Sequence, residues 1–316
     1  MKALSSNMLD SLASPTANSR ITYAACPACE SGDITYLLTA KDHTVSQETF
    51  DIWQCEACQL RFTQNVPRET DIGRYYQSED YISHSDTQKG LINWLYHRVR
   101  SITLRQKRKW VEKYAGRKSG RLLDIGCGTG AFLNTMQKAG WQTLGLEPDE
   151  GARAYARQQY GLDVRKLEAM YELPAGQFDV ISLWHVLEHV HQLHPCLQRI
   201  HELLAPGGTL FVAVPNYLSA DAAHYRQHWA AYDVPRHLYH FCPTAMRLLL
   251  QKYQLEIKKQ IGMPFDGFYV SLLSERYQHG HTRLIQGFWS GLKSFLSMKQ
   301  HSGKASAILY VIQKSS

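Results

Sequence analysis

No run in this 316-residue chain is apolar for long enough to cross a bilayer, which takes about 20 residues. The opening MKALSSNMLDSLASPTANSR carries one lysine and no sustained apolar core, so it does not read as a secretion signal. A disordered leader over 1–20 and a cytoplasmic location are the expectations. Neither charge nor apolar content is extreme, at 20% and 44%, ordinary for a globular protein, and the net charge of +7 is too small by itself to imply nucleic acid. The excess is local. From Arg98 to Arg121 there are ten lysines and arginines against one acid, Glu112. Leu91, Leu95, Val99 and Ile102 recur three or four apart, which predicts an amphipathic helix with an apolar stripe on the core and a basic face toward solvent or an anion.

The usual dinucleotide fingerprint G-x-G-x-x-G is absent as well. Its place is taken by Asp124-Ile125-Gly126-Cys127-Gly128-Thr129-Gly130, spaced G-x-G-x-G with an acid two residues ahead. A short apolar strand feeds this loop, a helix follows, and a second strand, TLGLE, ends on Glu147. Glycines bring backbone close to a ligand, and an acid at the end of the next strand takes ribose hydroxyls. Asp124 would repel a pyrophosphate but suits a cationic methionine end. The pattern therefore points to an adenosine-containing cofactor without a pyrophosphate.

Seven cysteines are few for the length, yet four form two C-x2-C knuckles, Cys26/Cys29 and Cys55/Cys58, with twenty-five residues between them. Two such knuckles complete a closed tetrahedral zinc site, structural rather than catalytic because no coordination position stays open. The intervening strand-like pieces suit a small ribbon whose folding energy is metal-binding energy. Cys127 reads as a small filler in the glycine loop, and Cys196 and Cys242 as semi-buried.

On LDIGCGTG, Glu147, FDVISLWHVLEHV (178–190) and LLAPGGTLFVAVPN (203–216), the chain resembles class I S-adenosylmethionine-dependent methyltransferases. The ribbon sequence QCEACQLRFTQNVP resembles the zinc-bearing sugar methyltransferases within that group. The resemblance covers about residues 90 to 315. It implies an α/β, Rossmann-like sheet with helices on both faces, a small zinc ribbon ahead of it, S-adenosylmethionine as cofactor and S-adenosylhomocysteine as product. Asp124, Gly126, Cys127, Gly128 and Gly130 would lie under the methionine, and Glu147 on the ribose. Pro148, Leu167 and Glu168 would border the adenine, and Leu183 and Trp184 the methyl. The segment RYYQSEDYISHS, with Tyr81, would cover cofactor or acceptor.

Strands are expected near 121–125, 142–146, 162–164, 178–183, 208–214, 255–261 and 307–313, and helices near 90–115, 130–139, 149–159, 192–204 and 243–252. The expected divisions are a leader 1–20, a ribbon 21–68, a linking helical cap 69–118, and a catalytic domain 119–316. A helical insert near 263–304 would serve as lid, membrane contact or partner surface.

Catalytic candidates are His185, then His237 and His189, any of which could remove a proton as the methyl arrives. A metal at His185, Glu188, His189 or His191 lacks matching acids on a second loop. Tyr232, Arg236 and His240 follow the fifth strand, where a guanidinium fork and flat rings would bind a polar or anionic acceptor. The leading expectation is O-methylation of a small molecule such as a nucleotide-linked or lipid-linked sugar. RNA base methylation is the first alternative, although the ribbon lacks a basic cluster and the strand-four loop lacks N-P-P-Y. A non-enzymatic cofactor-binding partner is the second.

Overall fold

The computed structural model describes residues 20–77 and 91–315, with side chains in the long helix described from Arg100 onward. The N-terminal part contributes strands β1 (Arg20–Ile21), β2 (Ile34–Lys41), β3 (Thr49–Cys55), β4 (Arg61–Thr63) and β5 (Val66–Pro67). Helix α1 (Leu91–Tyr114) leads into alternating strands and helices: β6 (Arg121–Ile125), α2 (Ala131–Gln137), β7 (Gln142–Leu146), α3 (Glu150–Tyr160), β8 (Val164–Arg165) and β9 (Phe178–Trp184). Then come α4 (Leu193–Leu203), β10 (Leu204–Pro215), α5 (Ala220–Tyr225), β11 (Tyr239–His240), α6 (Pro243–Gln251) and β12 (Leu255–Gly262). A helical hairpin, α7 (Asp266–His279) and α8 (Leu284–Gln300), precedes the last strand, β13 (Ala307–Lys314).

Seven strands form one sheet in the order β12-β13-β10-β9-β6-β7-β8. Only β13 runs antiparallel to its neighbours, β10 and β12. Strand order reverses between β6 and β9, and ligands in open α/β sheets bind at the carboxyl ends beside such a reversal. The glycine loop leaves β6 and His185 follows β9, so both stand at this crevice. Burial follows the two-residue period of the strands. Leu123, Leu210 and Val212 enter one apolar cluster, while Leu122, Phe211 and Ala213 enter another on the opposite face.

Local chemistry explains the helix ends. Asp149 caps α3 by accepting from the Ala152 N–H at 2.7 Å, and Gly161 closes it in the left-handed region at φ +65°. Pro243 opens α6 at a position where its missing N–H costs nothing. The expected strands and helices of the sheet all appear, with ends moved by a few residues. Two expectations shift. Arg20, placed in the leader, pairs with Pro67 in a short two-stranded ladder. Ile102, placed on a docking stripe, is 49% exposed, whereas Val111 is fully buried. Leu91, Leu95 and Val99 lie among the undescribed side chains.

The ribbon shares its core with the large sheet. Phe50, Ile52, Leu60 and Phe62 belong to the same apolar cluster as Leu183 and Tyr310. Its sheet, β11-β4-β3-β2, takes its edge strand from beyond β10: Tyr239 pairs with Phe62 and His240 with Arg61. An exposed edge of the ribbon is thereby covered by a segment that follows β10 and α5.

Candidate functional site

The four cysteine sulfurs converge. Cys26 and Cys58 lie 3.5 Å apart, Cys29 and Cys55 3.5 Å apart, and all four within 4.8 Å of one another. A tetrahedral zinc with bonds of about 2.3 Å needs edges of about 3.8 Å, so the donors fit that ion. The two knuckles repeat one backbone design. Glu30 donates its N–H to Cys26 and Gln59 to Cys55, each at 2.9 Å, and both donors have positive φ, 68° and 65°. The thiol of Cys58, donating to Cys26, lowers the Cys26 pKa, the direction that favours a thiolate.

The first loop of the crevice is built from its own sequence. Gly126 has φ +69°, and a Cβ there would lie 2.4 Å from Val186 in the loop after β9. Gly130 opens α2 at φ +78°, where a Cβ would meet Leu162 at 2.6 Å. Gly128 has open space where a Cβ would stand, so its backbone borders the crevice. Asp124 is buried and accepts from the Ser182 hydroxyl at 2.6 Å. Burial raises its pKa to about 7, against the pull of Ser182 and Lys107. Glu147, buried at the end of β7, receives the N–H of Gly128 at 2.8 Å and that of Asp149 at 3.0 Å. Burial raises its pKa too.

Arg153 donates to the carbonyls of Glu147 and Pro148, each at 2.6 Å, and so fixes the turn beyond the acid. Cys127 packs over Gly145, whose Cβ would stand 2.6 Å from its sulfur. Pro148 is exposed beside this loop, Leu167 is half-buried, and Glu168 is exposed on the short turn after β8. Leu183 is buried in the sheet; Trp184 lies edge-on to Phe132 at 5.3 Å.

Across the crevice stands His185. It is held at φ +58°, an uncommon conformation for a side-chain-bearing residue. Its Nε2 lies 3.1 Å from Asp266 at the start of α7, and its Nδ1 3.5 Å from Glu188. Burial alone would lower its pKa, but the Asp266 and Glu188 carboxylates outweigh that and hold it at about 9. Both Glu188 oxygens are buried without a hydrogen bond, although His237 Nε2 approaches to 4.0 Å. Glu188, His189 and His237 offer ligand atoms within 4.8 Å of one another, so this cluster could hold either shared protons or a divalent cation.

His189 is lowered to about 4 by burial and by His237. Its Nδ1 lies 3.0 Å from both the Arg236 carbonyl and the Tyr76 hydroxyl. His237 is buried with Nδ1 2.8 Å from the Ala231 carbonyl.

The remaining acceptor-side candidates lie in a buried seam against the ribbon. Arg236 is 1% exposed and donates to Asp42 at 3.0 Å, to Asp233, and to the Tyr75 carbonyl at 2.8 Å. Asp42 is held far below the usual carboxylate range, its burial outweighed by Arg236 and Ser46. Tyr232 accepts from Arg61 at 3.1 Å, and His240 lies 3.1 Å from the Thr63 hydroxyl. Among the described residues, the buried Arg236 fork is engaged by these carboxylates and the Tyr75 carbonyl, as a buried guanidinium requires. Tyr81 lies outside the described residues.

Lys107 was not singled out by the sequence reading. It leaves the basic face of α1 and sets its ammonium 4.3 Å from the centroid of the Trp184 ring. Burial lowers its pKa, while Asp124 and Asp266 oppose that. Only the basic content of the helix hinted at it, and one-dimensional spacing does not say which lysine turns inward.

The sheet order, the single antiparallel strand and the glycine loop beneath a strand-end acid define a class I methyltransferase fold. The chain belongs to the methyltransferase domain family, whose model matches residues 96–260, more than half of its length. It is 33% identical over 114 residues to a ubiquinone biosynthesis O-methyltransferase of Pseudomonas aeruginosa, covering 34% of this chain and 49% of that one. The enzyme of the same name from Acinetobacter baylyi is 28% identical over 129 residues, covering 38% and 52%. The chain thus spans about half the length of the curated relatives it matches.

Among solved structures, 1,6-didemethyltoxoflavin-N1-methyltransferase of Burkholderia thailandensis is 16% identical at a TM-score of 0.48, covering 88% of this chain and 100% of that one. A SAM dependent methyltransferase of Archaeoglobus fulgidus is 17% identical at 0.45, covering 68% and 94%.

Proposed function

We propose that this protein transfers the methyl group of S-adenosylmethionine to a hydroxyl oxygen of a small acceptor, with zinc holding its ribbon together. The observation that carries this reading is His185, flanked by Glu188 and Asp266, at the strand end facing the glycine loop. The cofactor would supply an electrophilic methyl on a cationic sulfur. The open backbone at Gly128 and the buried acid at Glu147 suit its adenosine, and Asp124 its charged methionine end. Pro148, Leu167 and Glu168 would border the adenine, with Leu183, Trp184 and Cys127 lining the methionine side.

Only neutral His185 is a base, a minor form at neutral pH given its pKa of about 9. In that form Nδ1, more loosely held at 3.5 Å from Glu188, would take the acceptor hydroxyl's proton while Asp266 at Nε2 stabilises the imidazolium. His189 and His237 play supporting parts, orienting Glu188 and the loop. Tyr232, Arg236 and His240 act as structure, tying the ribbon to the acceptor wall. The names of the partial relatives favour oxygen as the acceptor atom. A sugar acceptor draws only on the ribbon resemblance. The division into leader, ribbon, helical cap and catalytic domain is kept as a proposal, with the ribbon fused to the acceptor wall by β11.

A second reading concerns Glu188, His189 and His237, where a divalent cation would orient the acceptor oxygen. The unbonded buried oxygens of Glu188 favour it. One experiment separates the readings. Purified protein is given isotope-labelled S-adenosylmethionine and extract of its own cells, and label is followed into small molecules, lipids and nuclease-digestible RNA. The product is then assayed with Mg²⁺, Mn²⁺ or chelator. Label in an O-methyl ether supports the proposal; label in RNA or on nitrogen overturns it.

A further inference from the structure

The α7–α8 hairpin is packed inside out. Gly287 and Gly291 of α8 lie against α7, where added Cβ atoms would approach the Cα of Leu272 at 3.2 Å and that of Phe268 at 2.8 Å. Ser294 completes this buried face. Most of the large apolar side chains of α8 point away from α7, although the Phe288 ring still lies 5.6 Å from Phe268. At about 100° per residue, Ile285, Phe288, Trp289, Leu292 and Leu296 fall on one stripe roughly 100° wide, opposite the glycines. Ile285, Phe288, Trp289 and Leu296 are between 51% and 70% exposed. Isolated exposed apolar residues need no explanation, but a continuous stripe marks a contact surface.

Charge decides what that contact is. From Arg276 to Ser316 the chain has no aspartate or glutamate and six lysines and arginines. Exposed Lys293 and Lys299 lie on α8 itself, beside the stripe. A second copy of this face would bring like charges together, whereas an anionic surface would neutralise them. We propose that the outer face of α8 lies on an anionic lipid bilayer, aromatic side chains in the headgroup layer and lysines on the phosphates. The hairpin starts at Asp266, in contact with His185, so α7 ties the hairpin to the acceptor side of the crevice. This attachment stands independently of the proposed methyl transfer, and its test uses binding alone.

The full chain is co-sedimented with vesicles of phosphatidylcholine and with vesicles containing phosphatidylglycerol, and its oligomeric state is measured by light scattering. The expected result is binding to the anionic vesicles that weakens with salt, and much weaker binding to the neutral ones. The double variant F288S/W289S should lose more than roughly a hundredfold in binding while keeping the native circular dichroism spectrum. K293E and K299E should each lose roughly fivefold or more. Absence of binding to anionic vesicles, equal binding to both kinds, or a dimer dissolved by F288S/W289S would overturn the proposal. The last result would assign the face to a second copy.

Discussion

The two walls of the crevice are made in opposite ways. The glycine-loop wall comes from one stretch, Asp124 to Asp149, whose acid Glu147 is bound by backbone from its own neighbourhood. The acceptor wall is assembled from Tyr76, the His185–His189 turn, the Asp233–His240 segment and Asp266. The first wall tolerates little substitution at Gly126, Gly130 and Gly145, where an added Cβ would be crowded. The second depends on distant partners, the ribbon foremost. Arg236, His189 and β11 all reach residues below 77. A ribbon that buttresses one wall would explain why a four-cysteine cluster stands beside the proposed acceptor side of the crevice.

The contrast can be broken most severely at the metal. Cys58→Ser should abolish stoichiometric zinc, read by plasma mass spectrometry, and release the ribbon. Structural zinc contributes on the order of 10 kcal/mol in isolated fingers. Acceptor turnover should vanish, while S-adenosylhomocysteine affinity by calorimetry falls far less. Equal loss of both would mean that the walls are not independent.

His185→Ala should lower kcat about 10²- to 10⁴-fold with cofactor affinity little changed. Arg236→Met should cost roughly 3–5 kcal/mol, because it strands Asp42 and Asp233, and this is read in urea unfolding. A loss of acceptor affinity without loss of stability would restore Arg236 as a binding fork. Glu147→Ala should weaken S-adenosylhomocysteine about 10- to 100-fold with thermal stability nearly kept.

The smallest effect is on pH dependence. In the free enzyme the neutral imidazole of His185 forms as pH rises through about 9, so kcat/KM should climb to that value. Asp266→Asn removes the carboxylate at Nε2 and should move the climb to lower pH. An unmoved profile would remove His185 from proton transfer.

Much of this fold was legible in the sequence. The strand and helix positions followed from apolar period, and the loop from alternating glycines. The cysteine spacing also foretold convergence of the four sulfurs. The acceptor wall was not legible for a physical reason. Arg236 and His240 look the same in sequence whether they bind a ligand or the protein itself, and only burial separates the two. The inverted hairpin was hidden similarly, since helical spacing of Phe288, Trp289 and Leu296 reads as a core stripe unless the glycines on the other side are known to face α7.

Sequence alone therefore determined the strands of the sheet through their apolar period, and the glycine loop with its acid and the four-sulfur cluster because their partners lie close along the chain. Tertiary structure decided what His185 touches, where Lys107 points and what Arg236 holds. Those outcomes depend on which distant carboxylate shares a low-dielectric site, and chain spacing does not encode that.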